Sequence, residues 1–235
     1  RIANELADSI HLPAPVRLIE QGNDGVRVKT DDGTFYEANR VIVAIPPTLL
    51  SRIIYRPVLP AYRTQLIQRA PAGSVIKCMA IYESPFWRED GLTGQVICNE
   101  GPVRVTYDNS PPDGNPGVLL AFIEGDEARS LSRATPMKRR QVVLDALLNF
   151  FDRRAAHPID YFDKDWSADE WTGGCYGAHF PTGVWTSFGP VLREPIGRIH
   201  WAGTETATEW NGYIEGAVQS AERVVDEILG ANRVI

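Results

Sequence analysis

The stretch RIHWAGTETATEWNGYIEGAVQSAERVVDEIL, residues 198–229, decides the fold prediction, because it has the pattern of a strand, a glycine turn and a helix. The apolar segment 196–202 predicts a short strand, and Gly203 follows it directly. A stripe of small and apolar residues at helical spacing predicts the helix, with Gly230 as the residue that ends it. The members of the stripe are Ile214, Ala217, Val218, Ala221, Val224, Val225, Ile228 and Leu229.

The chain from residue 16 to residue 45 has the pattern of strands, after a short helix predicted over residues 1–10. Segment 16–38 predicts three of them, and Asp31-Asp32-Gly33 predicts a tight hairpin turn between the second and the third. The unbroken apolar run 41–45 predicts a fully buried strand. The early part of the chain is therefore expected to form a sheet.

The middle of the chain predicts a second structural unit. An apolar strand is expected over 74–82, and a helix from Thr135, a good N-cap, to about Phe151. Strands mixed with helices indicate an α/β or α+β fold. The early sheet and the C-terminal strand and helix suit one domain, and 67–168 suits another domain inserted between them.

Composition narrows the classes of protein. The chain has 235 residues, 43% hydrophobic content and a formal net charge of -6. That charge gives no general electrostatic reason to bind nucleic acid or an anionic membrane. No apolar run reaches the roughly 18–20 residues of a membrane-spanning helix, and three cysteines without a CxxC pair are typical of a reducing compartment.

Four features are candidates for chemistry, and each has a structural alternative. Gly203 and Gly212 allow a ligand to approach the backbone, or they serve helix–sheet packing. Lys77 interrupts an apolar strand, and it is either functional or faces water. Cys175 follows two glycines, so its sulfur is either sterically open or a small buried hydrophobe. Aromatic residues near the end suit a core or a planar cofactor: Trp166, Trp171, Tyr176, Trp185, Trp201, Trp210 and Tyr213.

At these motifs the sequence resembles the flavin amine oxidases, and most closely the monoamine oxidases and bacterial putrescine or tyramine oxidases. The resemblance extends from about Val16 to about Gly230, with a short apparent deletion around 94–102. Besides the C-terminal stretch, it rests on YEANRVIVAIPPTLL (36–50), GSVIKCMAIYESPFW (73–87) and GGCYGAHFPTG (173–183).

The resemblance implies a two-domain fold. Residues 1–66 and 169–235 would form a dinucleotide-type FAD-binding domain, and 67–168 would form a substrate-binding domain of mixed sheet and helices. The GxGxxG unit that opens the family's FAD site has no match here. The FAD domain is therefore expected to be incomplete at its N-terminus, and the N-terminal half of the enzyme is an expected partner, as a separate chain or a cleaved segment.

The resemblance also implies a reaction and the residues that serve it. FAD-dependent oxidative deamination moves a hydride from the α carbon of an amine to flavin N5; the imine hydrolyses, and O2 is reduced to H2O2. The implied catalytic residues are Lys77, which holds a water near N5, and Tyr176 and Tyr213, which flank the amine. Cys175 matches the cysteine that forms a thioether to the flavin 8α carbon. The other implied cofactor contacts are Val16, Trp166, Gly203, Thr204, Glu205, Gly212 and Ile214, and Val105 would line the substrate cavity.

Other readings stay open from the sequence. A polyamine oxidase or an amino-acid oxidase would hold FAD without a bond, and an amino-acid oxidase would need an arginine, for which Arg104 is the candidate. A non-catalytic half-protein acting as an interaction module is the third reading. A cytoplasmic, bacterial-type enzyme and a homodimer are further expectations.

Overall fold

The computed structural model describes residues 2–231, and within them the chain divides into two compact units. Unit 1 comprises 2–71 and 178–231, and unit 2 comprises 72–177. Both mix strands and helices, as the predicted fold class requires. The strands are β1 (Val16–Gln21), β2 (Val26–Thr30), β3 (Phe35–Ala38), β4 (Val41–Val43), β5 (Ile54–Arg56), β6 (Val75–Tyr82), β7 (Val96–Ile97), β8 (Val103–Asp108), β9 (Gly117–Glu124), β10 (Asp160–Asp165) and β11 (Ile199–Trp201). The α-helices are α1 (Ile2–Glu5), α2 (Ala61–Gln68), α3 (Gly125–Leu131), α4 (Pro136–Phe150), α5 (Val184–Phe188) and α6 (Ile214–Ala231).

The larger sheet of unit 1 has the strand order β3-β2-β1-β5. Strands β1, β2 and β3 are antiparallel neighbours, and β5 pairs in parallel with β1. The predicted hairpin is confirmed: Lys29 pairs with Phe35 across a turn in which Gly33 has a φ of +88°. Ile19, Val26 and Tyr55 bring one face of this sheet into the core of unit 1.

The run 41–45, predicted to be one fully buried strand, is shorter and only partly buried. Its strand, β4, ends at Val43 and pairs in parallel with β11. Val43 is buried in the core, but the Ile42 side chain is 44% exposed. The prediction was wrong because an apolar run indicates a preference for burial, whereas burial itself depends on which elements cover both faces of the strand.

The last helix, α6, is confirmed, although its end is not where the sequence predicted it. Gly230 lies inside the helix, which extends to Ala231, so the prediction that Gly230 ends it was wrong. Two side chains attach α6 to β11 and the turn after it. Ser220 Oγ accepts the Gly203 N–H at 3.0 Å, and Arg223 donates to the Trp201 carbonyl at 2.6 Å.

Unit 2 is built on a five-stranded antiparallel sheet with the order β10-β6-β9-β8-β7. One face of this sheet packs against α4, and Cys78, Val143 and Leu147 are fully buried between them. The α4 helix begins as predicted, because the Thr135 side chain accepts the N–H of Lys138 at 3.2 Å. The opposite face of the sheet is less covered, and it carries Lys77.

Unit 1 corresponds largely to the predicted FAD-binding domain, and unit 2 corresponds largely to the predicted substrate-binding domain. The predicted substrate domain covers 67–168; in the structure 67–71 belong to unit 1 and 169–177 to unit 2. Residue 1 and residues 232–235, which the predicted FAD domain includes, lie outside the described residues. The assignment of FAD binding and substrate binding to these domains stays a prediction.

The packing of α4 gives a test of the unit 2 core. Leu147 is fully buried and Leu148, the next residue, is 39% exposed. Replacing Leu147 with alanine should lower the free energy of unfolding by about 2–5 kcal/mol, because it leaves a cavity. Leu148→Ala, the matched control, should cost under about 1 kcal/mol. Urea unfolding measures both; equal losses would contradict the described core.

Candidate active-site residues in the two units

The half-covered face of the unit 2 sheet is organised around Lys77. Along β6, burial alternates, so that Ile76 and Cys78 are buried while Lys77 between them is half-buried. Lys77 pairs with Phe122 of β9 and with Lys164 of β10. Directly paired residues point to the same face of a sheet, so these side chains are neighbours.

Three aromatic rings surround the Lys77 ammonium. The Nζ atom lies 4.9 Å from the ring centroid of Tyr176, 5.6 Å from that of Phe122 and 5.9 Å from that of Trp166. At such distances a cation is attracted to the ring faces. The Trp166 indole N–H is buried and has no hydrogen-bond partner among the described residues. Lys77 is thus neither a core residue nor a plainly water-facing one, and lies in an aromatic enclosure.

The same face continues onto β8, where Val105 pairs with Phe122. The Tyr107 ring, two residues on, meets the Phe122 ring edge-on at a centroid distance of 5.8 Å. Sequence reasoning missed Phe122 and Tyr107. The stretch that contains Phe122, GVLLAFIE (117–124), is nearly all apolar, so its pattern does not reveal which residues face the core.

The loop that carries Cys175 is held tightly against the start of unit 2. The Cys175 N–H donates to the Gly73 carbonyl at 2.8 Å, and the Gly73 N–H donates to the Gly177 carbonyl at 3.4 Å. A Cβ on Gly73 would lie 2.3 Å from the Cys175 carbonyl oxygen, so only glycine allows this approach. The peptide bond between Cys175 and Tyr176 is cis. The backbone contacts with Gly73 hold the loop where the Tyr176 ring and the Cys175 thiol lie close to Lys77.

Burial and the neighbouring charges shift the pKa of the Cys175 thiol in opposite directions. Partial burial raises the pKa of the Cys175 thiol, the positive charge of Lys77 lowers it, and Glu124 raises it. Burial is also the largest cause of the raised pKa of Tyr176, whose hydroxyl donates to Glu124 Oε1 at 3.4 Å. Glu124 is a further residue that sequence reasoning missed. A thiol with a raised pKa is mostly protonated near neutral pH.

In unit 1 the turn after β11 is fixed by its own side chains. Gly203 has a φ of +111°, a conformation that favours glycine, and a 3-10 helix follows over Thr204–Thr206. Thr204 Oγ1 accepts the Gly212 N–H at 2.7 Å and donates to the Tyr213 carbonyl at 2.9 Å. This pair of bonds joins the turn to the start of α6.

The remaining predicted residues of unit 1 lie close to that turn, except for Val16. Glu205 is buried, and its carboxylate accepts the Ala178 N–H at 3.2 Å. The exposed Tyr213 ring meets the exposed Trp210 ring edge-on at 6.1 Å. Ile214 begins α6 and is exposed, whereas Val16 begins β1 and is half-buried.

The structure therefore groups the predicted site residues into two sets. Unit 2 holds Lys77, Val105, Trp166, Cys175 and Tyr176. Unit 1 holds Val16, Gly203, Thr204, Glu205, Gly212, Tyr213 and Ile214. That Tyr176 and Tyr213 flank one amine stays a prediction.

Comparisons with known proteins support the family resemblance that these residues suggest. The sequence profile of the family described as "Flavin containing amine oxidoreductase" matches residues 1–229. Amine oxidase [flavin-containing] B of Canis lupus familiaris is 44% identical over 98% of this chain and 45% of its own length. For amine oxidase [flavin-containing] A of Sus scrofa the identity is 42%, with coverages of 98% and 44%.

Solved structures of amine oxidases have the same fold. Wild-type putrescine oxidase bound to putrescine superposes with a TM-score of 0.93 at 36% identity, covering 97% of this chain and 51% of the other. Cyclohexylamine oxidase from Brevibacterium oxydans IH-35A gives a TM-score of 0.93 at 33% identity, with coverages of 99% and 51%. The chain thus spans about half the length of these relatives. In the part of the chain that the structure describes, no helix is both long and apolar enough to traverse a bilayer.

The field of Lys77 on Cys175 gives a test of the unit 2 geometry. Iodoacetamide reacts with the thiolate, so the pH dependence of the reaction rate reports the thiol pKa. In a Cys98→Ser background, with Cys78 buried, the pH of half-maximal reaction should lie above that of an ordinary thiol. Lys77→Met should raise it further, because it removes the cation that stabilises the thiolate, and Lys138→Met should leave it unchanged. Equal effects of the two lysine variants would contradict the geometry.

Proposed function

The chain belongs to the family of flavin-containing amine oxidoreductases, and from that membership we propose that it takes part in the oxidative deamination of an amine, with FAD attached to Cys175. The observation that carries the proposal is the aromatic enclosure of Lys77, which lies beside the loop of Cys175 and Tyr176. Such an enclosure suits a planar cofactor and a small amine far better than it suits a peptide or a nucleic acid.

The residues present fit FAD in both units. A Cβ on Gly212 would meet no atom within 4 Å, and one on Gly203 would meet only Glu205 Oε2, at 3.8 Å, so a ligand has room to approach this backbone. The buried Trp166 N–H, which has no partner among the described residues, is available to an acceptor. FAD, when bound, supplies the two-electron redox chemistry.

The attachment at Cys175 is the finer part of the proposal. Cys175 would hold FAD through a thioether between its Sγ atom and the 8α carbon of the flavin methyl group. Such a linkage would release the thiol proton and one methyl proton, and dioxygen, the oxidant of the proposed reaction, would take up the two electrons. Lys77 stabilises the thiolate that this step needs, since its charge opposes the rise in thiol pKa that burial causes.

The protein side chains position the amine and keep it reactive. The Tyr176 ring, whose hydroxyl donates to Glu124, offers one face to the neutral amine, and Tyr213 of unit 1 is assigned the other. The positive charge of Lys77 at the same face favours the uncharged amine, because a charged ammonium would be repelled and would also have to be desolvated. Val105 and Phe122 line the same face of the sheet and would limit the size of the amine substituent. Lys77 would hold a water molecule at this face.

Amine oxidation is favoured over amino-acid oxidation by the position of Arg104. Its guanidinium forms an ion pair with the Glu127 carboxylate at 2.5 Å, and both side chains are partly buried. An arginine that already donates to Glu127 and to the Asn99 carbonyl has fewer N–H donors left for a substrate carboxylate. The amino-acid oxidase alternative stays a prediction, and the Glu127 pairing makes Arg104 a weaker candidate for it.

The rest of the enzyme is proposed to come from the N-terminal half, in the same polypeptide or in a second one. The chain covers about half of each relative's length, and it contains no GxGxxG motif for the pyrophosphate of FAD. A homodimer and a cytoplasmic location are further parts of the proposal.

Acid precipitation of the flavin-loaded protein tests the attachment. The yellow colour should remain in the pellet for the wild type and for Cys98→Ala, the matched control. It should move to the supernatant for Cys175→Ala, because alanine lacks the sulfur atom that holds the flavin and acid unfolds the rest of the site. Absorption spectra of pellet and supernatant measure this. Colour in the supernatant of the wild type would favour a polyamine oxidase type of site, and colourless protein would favour a non-catalytic half-protein.

A further inference from the structure

The α6 helix has three different faces. One face packs on unit 1: Ser220 and Val224 are fully buried, and Glu227 bonds to His200 of β11. The second face is acidic and exposed, with Glu215, Glu222 and Asp226. The third face is apolar, and it is distinct from the face that packs.

That third face is an exposed apolar stripe, formed by Ile214, Val218, Ala221, Val225 and Leu229. Four of these side chains are exposed by 87%, 48%, 47% and 52%, in the order Ile214, Val218, Val225 and Leu229. The stripe is roughly 22 Å long at the helical rise per residue. A contiguous exposed apolar surface of this kind marks an interaction site. The apolar stripe that the sequence pattern predicted on α6 is therefore left largely uncovered by the part of the chain that the structure describes.

The sheet beneath α6 has an exposed apolar residue on its helix-bearing face. Ile42 of β4 pairs with His200 of β11, so its side chain points to the same face of this sheet as His200, the face on which α6 lies. Ile42 is nevertheless exposed. Among the described residues this parallel sheet has two strands, whereas parallel sheets are ordinarily covered on both faces.

We infer that the stripe and Ile42 form the surface on which the other half of the amine oxidase docks. This rests on the proposed function, because the occupant is the portion of the relatives, about half their length, that the chain does not cover. A second copy of this chain suits the surface less well. It would bring together two acidic faces that border the stripe, each with Glu215, Glu222 and Asp226, on chains of net charge -6.

The test uses this chain together with the half of putrescine oxidase that it does not match, expressed as a separate polypeptide. The stripe variant is Val218→Lys with Val225→Lys, and the matched control is Glu222→Lys with Asp226→Lys on the acidic face. All four side chains are exposed, so thermal unfolding of the free chain should be little changed. If the lysine pair unfolds the chain, the milder pair Val218→Ser with Val225→Ser repeats the comparison.

Size-exclusion chromatography with light scattering, and titration binding, give the readout. The wild type and the acidic-face control should form a one-to-one complex, and the stripe variant should bind at least about 100-fold more weakly, since two valines lose their burial. Equal binding by all three proteins, or no complex with the wild type, would overturn the inference. So would a wild-type dimer that the stripe variant dissociates. A complex that retains FAD but whose flavin no amine reduces would leave the docking surface standing and refute the proposed function.

Discussion

The contact between Gly73 and the Cys175 loop is the constraint on which unit 2 depends. It joins the two ends of the unit, because Gly73 bonds to Cys175 and to Gly177 through its backbone groups. The approach leaves no space for a Cβ on Gly73. It brings Tyr176 and the Cys175 thiol to the strand that carries Lys77, so the arrangement of the candidate site follows from one backbone contact.

The positive charge of Lys77 is stabilised by three aromatic rings, and the negative charge of Glu124 opposes its effect on Cys175. A half-buried lysine in a sheet loses hydration, and the three ring faces around its ammonium offset part of that loss. Glu124 accepts the Tyr176 hydroxyl and opposes the effect of Lys77 on Cys175. The thiol is thereby kept protonated at rest, while the cation that favours its ionised form lies in the same enclosure. This balance is compatible with the proposed attachment of FAD at Cys175.

The sequence predicted the features that depend on local chemistry. The hairpin at Gly33, the N-cap at Thr135 and the last helix all follow from residue types at fixed spacing, and all are present. Features that depend on distant neighbours were not predictable in this way. The roles of Phe122 and Glu124 depend on strand register, and neither the exposure of Ile42 nor the choice of the packed face on α6 can be read from hydrophobic spacing. Motif resemblance selected Lys77, Cys175 and Tyr176, which the fold brings together, but it could not reveal the charge balance among them.

In the proposed enzyme, this chain contributes the amine-facing part of a flavin site. The most direct test is anaerobic titration of the flavin-loaded, complemented protein, followed through the visible flavin absorbance. Benzylamine, putrescine and cyclohexylamine would be compared with phenylglycine, which is benzylamine with an added α-carboxylate. The account predicts that at least one of the amines bleaches the flavin and that phenylglycine does not. A flavin that resists every amine, or that phenylglycine reduces as readily as the amines do, would contradict it.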